Sequence, residues 1–387
     1  MLRYVTAGES HGKQLTVILE GIPAGLPITE EYISRDLARR QTGFGRGARM
    51  KIEKDRAEIL SGVRFGETLG SPICLAIKNL DWENWRYIMS SEATKDNSKN
   101  VYQVCPRPGH ADLPGAQKFD RKDLRDILER ASARETAARV AAGSICRRLL
   151  EEFGIGIFSF VKELGGIKAS TEKLSKKDIY KLSENSLVRT PDQKAEKKMM
   201  ELISKAGEQG DTIGGVFTLV AENIVPGLGN HTQWDLKLDG KIAQSLMSIQ
   251  AIKGVEFGIG FEYASRPGSD SHDQILYSKS RGFYRETNNA GGIEGGMTNG
   301  EDIIVSCAMK AIPSLKKPLK SVNIKTKSSN PAEAVRSDVC AVPAAGVIGE
   351  SVLSFDIAAA MKEKFGGDSL GEMKANFSAY KKQLDRF

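Results

Sequence analysis

The two halves of this 387-residue chain carry matching residues in the same order, so its fold must bury two similar units against one another. At a shift of 202 positions, Gly12, Thr16, Glu20, Ile22, Gly25 and Leu26 fall on Gly214, Thr218, Glu222, Ile224, Gly227 and Leu228. At the same shift Arg134, Val140 and Ala142 fall on Arg336, Val342 and Ala344. Gly62-Val63-Arg64-Phe65-Gly66 also resembles Gly254-Val255-Glu256-Phe257-Gly258 at a shift of 192, and Arg107-Pro108-Gly109 recurs as Arg266-Pro267-Gly268. Length alone suggests two or three domains of about 150 residues. The repeat instead predicts one domain over 1–387, with halves of roughly 1–205 and 206–387 and a pseudo-twofold axis near which Arg134 and Arg336 are equivalent.

Hydrophobic patterning makes the repeated unit α+β. Short apolar runs predict strands at 15–19, 73–77, 216–220 and 303–308. A helix is predicted over 121–153, with Asp120 as N-cap and Gly154 as C-cap. A second starts at Thr190-Pro191-Asp192, with Thr190 capping and Pro191 in the first turn, and ends near Gly207. The Gly/Asn-rich stretch 288–296 reads as a loop where backbone approaches a ligand or another backbone.

The net charge is +7. Residues 35–56 hold eight basic side chains against three acidic ones, which accounts for +5 of that total. At its centre, Gly43-Phe44-Gly45-Arg46-Gly47-Ala48-Arg49 alternates Gly with Arg. Glycine lets the backbone turn, and arginine offers a planar fork to phosphate or carboxylate. A loop closing on a small anion and a nucleic-acid contact both fit this stretch. The second basic run, 168–205, carries acids at helical spacing and reads as a solvated surface.

Five cysteines without CxxC spacing and four histidines without HExxH spacing point away from a disulfide framework and a metal site. They fit a reducing cytoplasm. No uninterrupted apolar run approaches the roughly 20 residues of a membrane span. There is no GxxxxGK[ST] and no complete GxGxxG on a βαβ unit, which disfavours ATP-dependent phosphoryl transfer and a standard dinucleotide fold.

Four polar clusters remain. Gly8-Glu9-Ser10-His11-Gly12 presents Ser10 and His11 just before a strand, with His11 as a proton donor or an anion contact. Arg107-Pro108-Gly109-His110-Ala111-Asp112 presents a second histidine, which Asp112 could orient. Ser132-Ala133-Arg134-Glu135-Thr136 surrounds an arginine with small residues that admit a ligand. Arg336-Ser337-Asp338 adds a carboxylate that is either a helix cap or a proton carrier.

Together these segments closely resemble the chorismate synthase family. The carrying motifs are Gly8–Gly12 through Glu20-Gly21-Ile22-Pro23, Glu129–Thr136 through Gly143-Ser144, and Arg336–Cys340 through Glu350-Ser351. Pro106–Asp112 and Asn289–Ile293 add further matches. The resemblance implies a β-α-β sandwich of two antiparallel sheets around central helices, and a homotetramer. It implies a flavin-dependent lyase that converts 5-enolpyruvylshikimate 3-phosphate to chorismate with reduced FMN and no net redox change. By resemblance, FMN contacts fall on Arg130, Ala131, Ser132, Gln250, Ala251, Gly295, Lys310, Ala311, Ile312, Pro313, Ser314 and Arg336. Arg40 and Arg46 match positions for a nicotinamide phosphate or substrate; Ser10, Arg49, Arg107 and Arg134 fall to substrate. His11 would protonate the departing phosphate, His110 would set the protonation of reduced flavin, and Asp338 would assist proton removal at flavin N5. The resemblance further implies an external flavin reductase or NADPH as the reductant, and no metal, nucleic acid or membrane. A net flavin oxidoreductase is the rival enzyme reading.

Overall fold

The computed structural model describes residues 1–47, 54–93, 102–333 and 338–387. It is a mixed α/β protein with two principal sheets. The first contains β1 (Arg3–Ala7), β2 (Gln14–Glu20), β3 (Ala57–Ile59) and β4 (Ile73–Lys78), in the order β1-β2-β4-β3. The second contains β5 (Gly156–Leu164), β6 (Ile167–Lys168), β7 (Gly215–Glu222), β8 (Ile252–Phe257) and β9 (Ile303–Met309), in the order β8-β9-β7-β5-β6. Every pairing within both sheets is antiparallel. All four strands expected from the sequence are present.

The helices that bear on the site are α1 (Glu30–Gln41), α2 (Asp112–Phe119), α3 (Arg125–Ala131), α4 (Thr136–Glu151), α5 (Gln193–Glu208) and α6 (Val342–Phe365). Helix α4 packs on β2 and β4 of one sheet and on β5 of the other, and α6 packs on α4, β5 and β7. Small residues make this close approach feasible. Ala137, Ala138, Ala141 and Ala142 of α4 are fully buried, and a side chain on Gly143 would collide with the backbone of Ser351 in α6. Among the described residues, α6 alone is long and apolar enough to cross a membrane, yet most of it is buried inside the protein.

Polar groups cross this helical layer in one dense network. The Glu350 carboxylate on α6 is fully buried. It accepts from Arg39 (2.8 and 3.1 Å), Arg147 (2.7 Å), Arg189 (3.1 Å) and Ser159 Oγ (2.6 Å). Burial alone would push the Glu350 carboxyl up, but the guanidinium charges of Arg39, Arg147 and Arg189 outweigh it and hold it well below the usual range. Asp36 of α1, also fully buried, faces Arg39 at 3.1 Å and Arg147 at 3.2 Å.

Gly25-Leu26 and Gly227-Leu228, two of the matched pairs, adopt the same turn. Gly25 N donates to Thr68 O at 2.8 Å, and Gly227 N to Thr298 O at 2.8 Å. Leu26 N and Leu228 N each donate to the hydroxyl of that threonine at 2.9 Å. The threonine hydroxyls in turn donate to Pro23 O and Val225 O.

Several expectations differ from the structure. The expected boundary near 205/206 lies inside α5. Strand β5, from the first half of the sequence, pairs with β7 in the second sheet, as β1 pairs with β2 in the first. The shift of 192 pairs unlike structures: Gly62–Gly66 spans a tight hairpin, whereas Gly254–Phe257 runs along β8. A similar hairpin lies at Gly292–Gly296, where Asn299 N bonds Gly292 O at 3.0 Å as Leu69 N bonds Gly62 O at 2.9 Å. Finally, the 121–153 helix is broken. Ser132 is extended (φ −65°, ψ 143°), its hydroxyl caps Arg134 N, and a 3-10 turn at Ala133–Glu135 leads into α4. Asp120 closes α2 in a left-handed conformation rather than opening a helix, and Asp192, not Thr190, caps α5.

Candidate active site

The break at Ser132 gathers the first cluster. Between β1 and β2, Gly8 turns at φ 107°, where a side chain would strike Gln14 O. That reversal lays Ser10 and His11 against the end of α3. Ser10 N donates to Glu129 O at 2.9 Å, and Ser132 Oγ donates to Ser10 Oγ at 3.2 Å. His11 N donates to Glu129 Oε2 at 2.8 Å, and the ring Nδ1 lies 2.9 and 3.0 Å from the two carboxylate oxygens. Glu129 is buried and also pairs with Arg125 at 3.1 Å, one helical turn earlier. Burial would push its carboxyl up, but the His11 hydrogen bond and the neighbouring charges win and lower it. Arg130 holds the same loop from the other side through Gly8 O and Thr6 O, both at 2.9 Å.

Arg134, just past the break, donates to Asp55 at 2.5 Å. Arg40 approaches the same Asp55 oxygen at 3.5 Å and donates to Thr136 Oγ1 at 3.0 Å and Ala133 O at 2.9 Å. Both arginines are buried, so the structure seats them as a fixed pair rather than as side chains waving in solvent.

The second histidine sits in a parallel arrangement. His110 Nδ1 is 2.6 Å from Asp112 Oδ1. Arg107 grips Asp112 with Nε (2.8 Å) and Nη2 (3.0 Å), and its Nη1 donates to Ser314 Oγ at 2.9 Å. Burial works to push the Asp112 carboxyl up, but hydrogen bonds and charge from His110 and Arg107 hold it well below the carboxylate range. Lys310 Nζ donates to Gly109 O, and Lys310 N donates to Ala251 O at 2.9 Å. Three segments far apart in sequence, 107–112, 250–251 and 310–314, therefore converge. Ile312 O is tied down by Thr212 Oγ1 at 2.7 Å, and Pro313 lies beside Gly109. Gln250 Nε2 contacts Glu135 at 3.4 Å; Glu135 also accepts from Thr6 Oγ1, which joins this cluster to the first.

Asp338 lies in a third group with the Gly-Arg loop. Arg46 reaches its Oδ2 at 2.6 Å, Gly47 N donates to Oδ1 at 2.6 Å, and Val339 N donates to Gly45 O at 2.8 Å. Gly295 stands apart, at the tip of the hairpin that packs on Lys237 and Asn230. Arg49 and Arg336 lie outside the described residues. A cavity of about 1040 Å³ opens beside the first cluster, with Arg125, Glu129, Arg130 and Ala131 in its wall. All five cysteines are free thiols; Cys146, Cys307 and Cys340 are buried and Cys74 and Cys105 half-buried.

Sequence reasoning left several of these residues without a role. Glu129 stood inside a quoted motif, but nothing in a sequence says which carboxylate folds under a histidine. Arg125 and the segment from Asn79 to Trp85 were unassigned, and the only sequence signal there is a pair of tryptophans, Trp82 and Trp85, in an otherwise polar stretch.

With that geometry established, comparison with known proteins is direct. The family model described as chorismate synthase matches residues 2–361. Chorismate synthase of Endomicrobium trichonymphae is 57% identical over 384 residues, covering 99% of each chain. That of Geobacter sulfurreducens is 55% identical over 394 residues and covers all of both chains. A crystal structure of chorismate synthase superposes with a TM-score of 0.81 at 44% identity, covering 100% of this chain and 99% of the other. The match extends over nearly the whole length and includes the fold, and the chain belongs to the chorismate synthase family.

Proposed function

We propose that this chain catalyses the 1,4-elimination of phosphate from 5-enolpyruvylshikimate 3-phosphate to give chorismate, as a carbon–oxygen lyase that needs reduced FMN without consuming it. The observation that carries this reading is the pair of presented histidines, each seated on a buried carboxylate (His11 on Glu129, His110 on Asp112) and set among arginines. An elimination that expels phosphate needs proton donors and fixed positive charge where the leaving group's charge develops.

The residues fit FMN. Gln250 Oε1 is shielded from water and, among the described residues, accepts no hydrogen bond, so it suits a ring N–H. Ala251 beside it holds φ 70°, a strained backbone for a residue with a side chain. Burial and the charge of Lys253 lower Lys310, and two neighbouring cations of this kind suit a phosphate. Arg130, Ala131, Ser132, Lys310 and Ser314 would hold the cofactor, with Gly295 and Arg336 proposed on resemblance. When bound, reduced FMN supplies the electron transfer that side chains cannot perform.

The chain's own residues divide the remaining work. His11 donates a proton from its ring to the departing phosphate oxygen. Arg134, Arg107, Arg49 and Ser10 bind the substrate's anionic groups; Arg40 and Arg46 contribute there or to a nicotinamide phosphate. His110 holds a proton near the flavin ring on the side fixed by Asp112. Asp338 takes a proton only as its pair with Arg46 opens, since both its oxygens are occupied. NADPH or an external reductase as electron source, a cytoplasmic homotetramer, and a β-α-β sandwich of two halves joined near Gly154 complete the reading. The matched strand orders and the two threonine turns support that last point.

The test is an anaerobic assay with chemically reduced FMN and 5-enolpyruvylshikimate 3-phosphate. Phosphate and chorismate are expected in equal amounts, and neither with oxidised FMN. No phosphate release with reduced FMN refutes the reading.

A further inference from the structure

The segment from Asn79 to Trp85 leads away from β4 and folds back over the His11 loop. Asn79 ties it down: its side chain donates to Gly12 O at 2.9 Å and its backbone N to Lys13 O at 3.1 Å. Asp81 Oδ2 accepts from Trp85 Nε1 at 2.9 Å, which fixes the indole. The Trp85 ring then stacks on the His11 imidazole, with centroids 3.7 Å apart and planes inclined by 26°. Arg125 Cζ stands 5.3 Å from the Trp85 ring and its Nη1 also pairs with Glu129. His11 is thus held on three sides: carboxylate at Nδ1, indole on one face, and its own backbone N–H on the second carboxylate oxygen. Glu129 (acceptor), Arg125, and Asp81 behind the indole are the charged groups that these elements bring up to it, with Glu9 in its own loop.

We infer that Glu129 and Trp85 are positioning residues that hold the His11 ring with Nδ1–H directed into the protein, so that Nε2 is the atom that meets the leaving phosphate. The inference rests on the reading of His11 as proton donor. A carboxylate accepting from one ring nitrogen fixes which tautomer remains after the other has given up its proton. A stacked indole prevents the ring from flipping about χ2, which would exchange the two nitrogens. Glutamine at position 129 keeps one acceptor oxygen for the His11 backbone N–H, but its amide N–H2, standing where Oε1 accepts from Arg125 and approaches Nδ1, would face donors.

Three measurements test this. In the unmodified protein with ¹⁵N-labelled histidine, neutral His11 is expected to carry its proton on Nδ1; a proton on Nε2 overturns the inference, whatever any variant does. Glu129→Gln is expected to lower kcat by about tenfold or more while substrate KM stays nearly constant. Trp85→Leu is expected to lower kcat likewise, and Trp85→Phe, which keeps a flat ring, to restore most of it. Wild-type kcat in either Glu129→Gln or Trp85→Leu overturns the positioning role. His11→Ala separates the two ideas: full turnover in that variant sinks the proton-donor reading itself, whereas an inactive His11→Ala beside a fully active Glu129→Gln sinks only the inference made here.

Discussion

His11→Ala is expected to lower kcat by about 10²–10⁴-fold, the usual contribution of a positioned general acid, while FMN affinity stays unchanged. The split follows from where the ring sits. The ring lies on Glu129 and Trp85, whereas the residues proposed for the cofactor run from Arg130 to Ser132 and from Lys310 to Ser314. Removing the ring leaves Arg130 bonded to Thr6 and Gly8, and Lys310 bonded to Gly109, so the cofactor side keeps its support. Single-turnover phosphate release and a flavin titration measure the two halves of the claim. Weakened FMN binding with turnover intact would assign His11 to the cofactor instead.

The second large effect concerns stability. Glu350→Ala is expected to destabilise the protein by about 3–5 kcal/mol, because it leaves Arg39, Arg147 and Arg189 buried without the carboxylate they share. Asp36 and Glu184 remain, but each already faces two of those arginines. Alanine also opens a cavity between α6 and β5, where Ser159 Oγ loses its acceptor. Urea unfolding at neutral pH, followed by far-ultraviolet circular dichroism, gives the difference directly. A loss below about 1 kcal/mol, the range of an exposed ion pair, would mean that the network is not the internal tie described above. Because Glu350 closes the C-terminal motif of the family resemblance, the result also separates a motif residue kept for the fold from one kept for chemistry.

What the sequence allowed one to read, and what it did not, divides along physical lines. The strands at 15–19 and 303–308 were legible because a buried strand is a short apolar run, and that signal is local. The repeat was legible where turn geometry demands particular residues, as at Gly25 and Gly227, which hold φ 82° and 83°. The pairing of β5 with β7 was illegible, because backbone hydrogen bonds set it and constrain side chains little. The helix break at Ser132 was invisible for a different reason. Ala131, Ala133 and Ala138 are good helix formers, and the break is paid for by tertiary contacts: Ser132 with Ser10, and Arg134 with Asp55.

The same distinction holds in the site. His11, His110 and Asp338 could be singled out because they stand in unusual Gly- or Arg-rich contexts. Asp112, two residues from His110, was legible as its orienting partner; Glu129 under His11 and Arg46 on Asp338 were not, since those pairings arise from burial and proximity. The charge count is a further case. Five of the seven net positive charges fall in 35–56, yet Arg39 and Arg40 of that stretch are built into the fold against Glu350 and Asp55. Arg46 is paired with Asp338. Basic composition there describes an interior scaffold as much as a binding loop.

The central claim is that the flavin is required but not consumed, and one count tests it most directly. The enzyme is loaded anaerobically with a single equivalent of reduced FMN, given a large excess of 5-enolpyruvylshikimate 3-phosphate and no other reductant, and assayed for chorismate. Many molecules of chorismate per flavin, with the flavin still reduced at the end, are predicted. One product per flavin, with the flavin oxidised, would contradict the account and make the chain a net oxidoreductase.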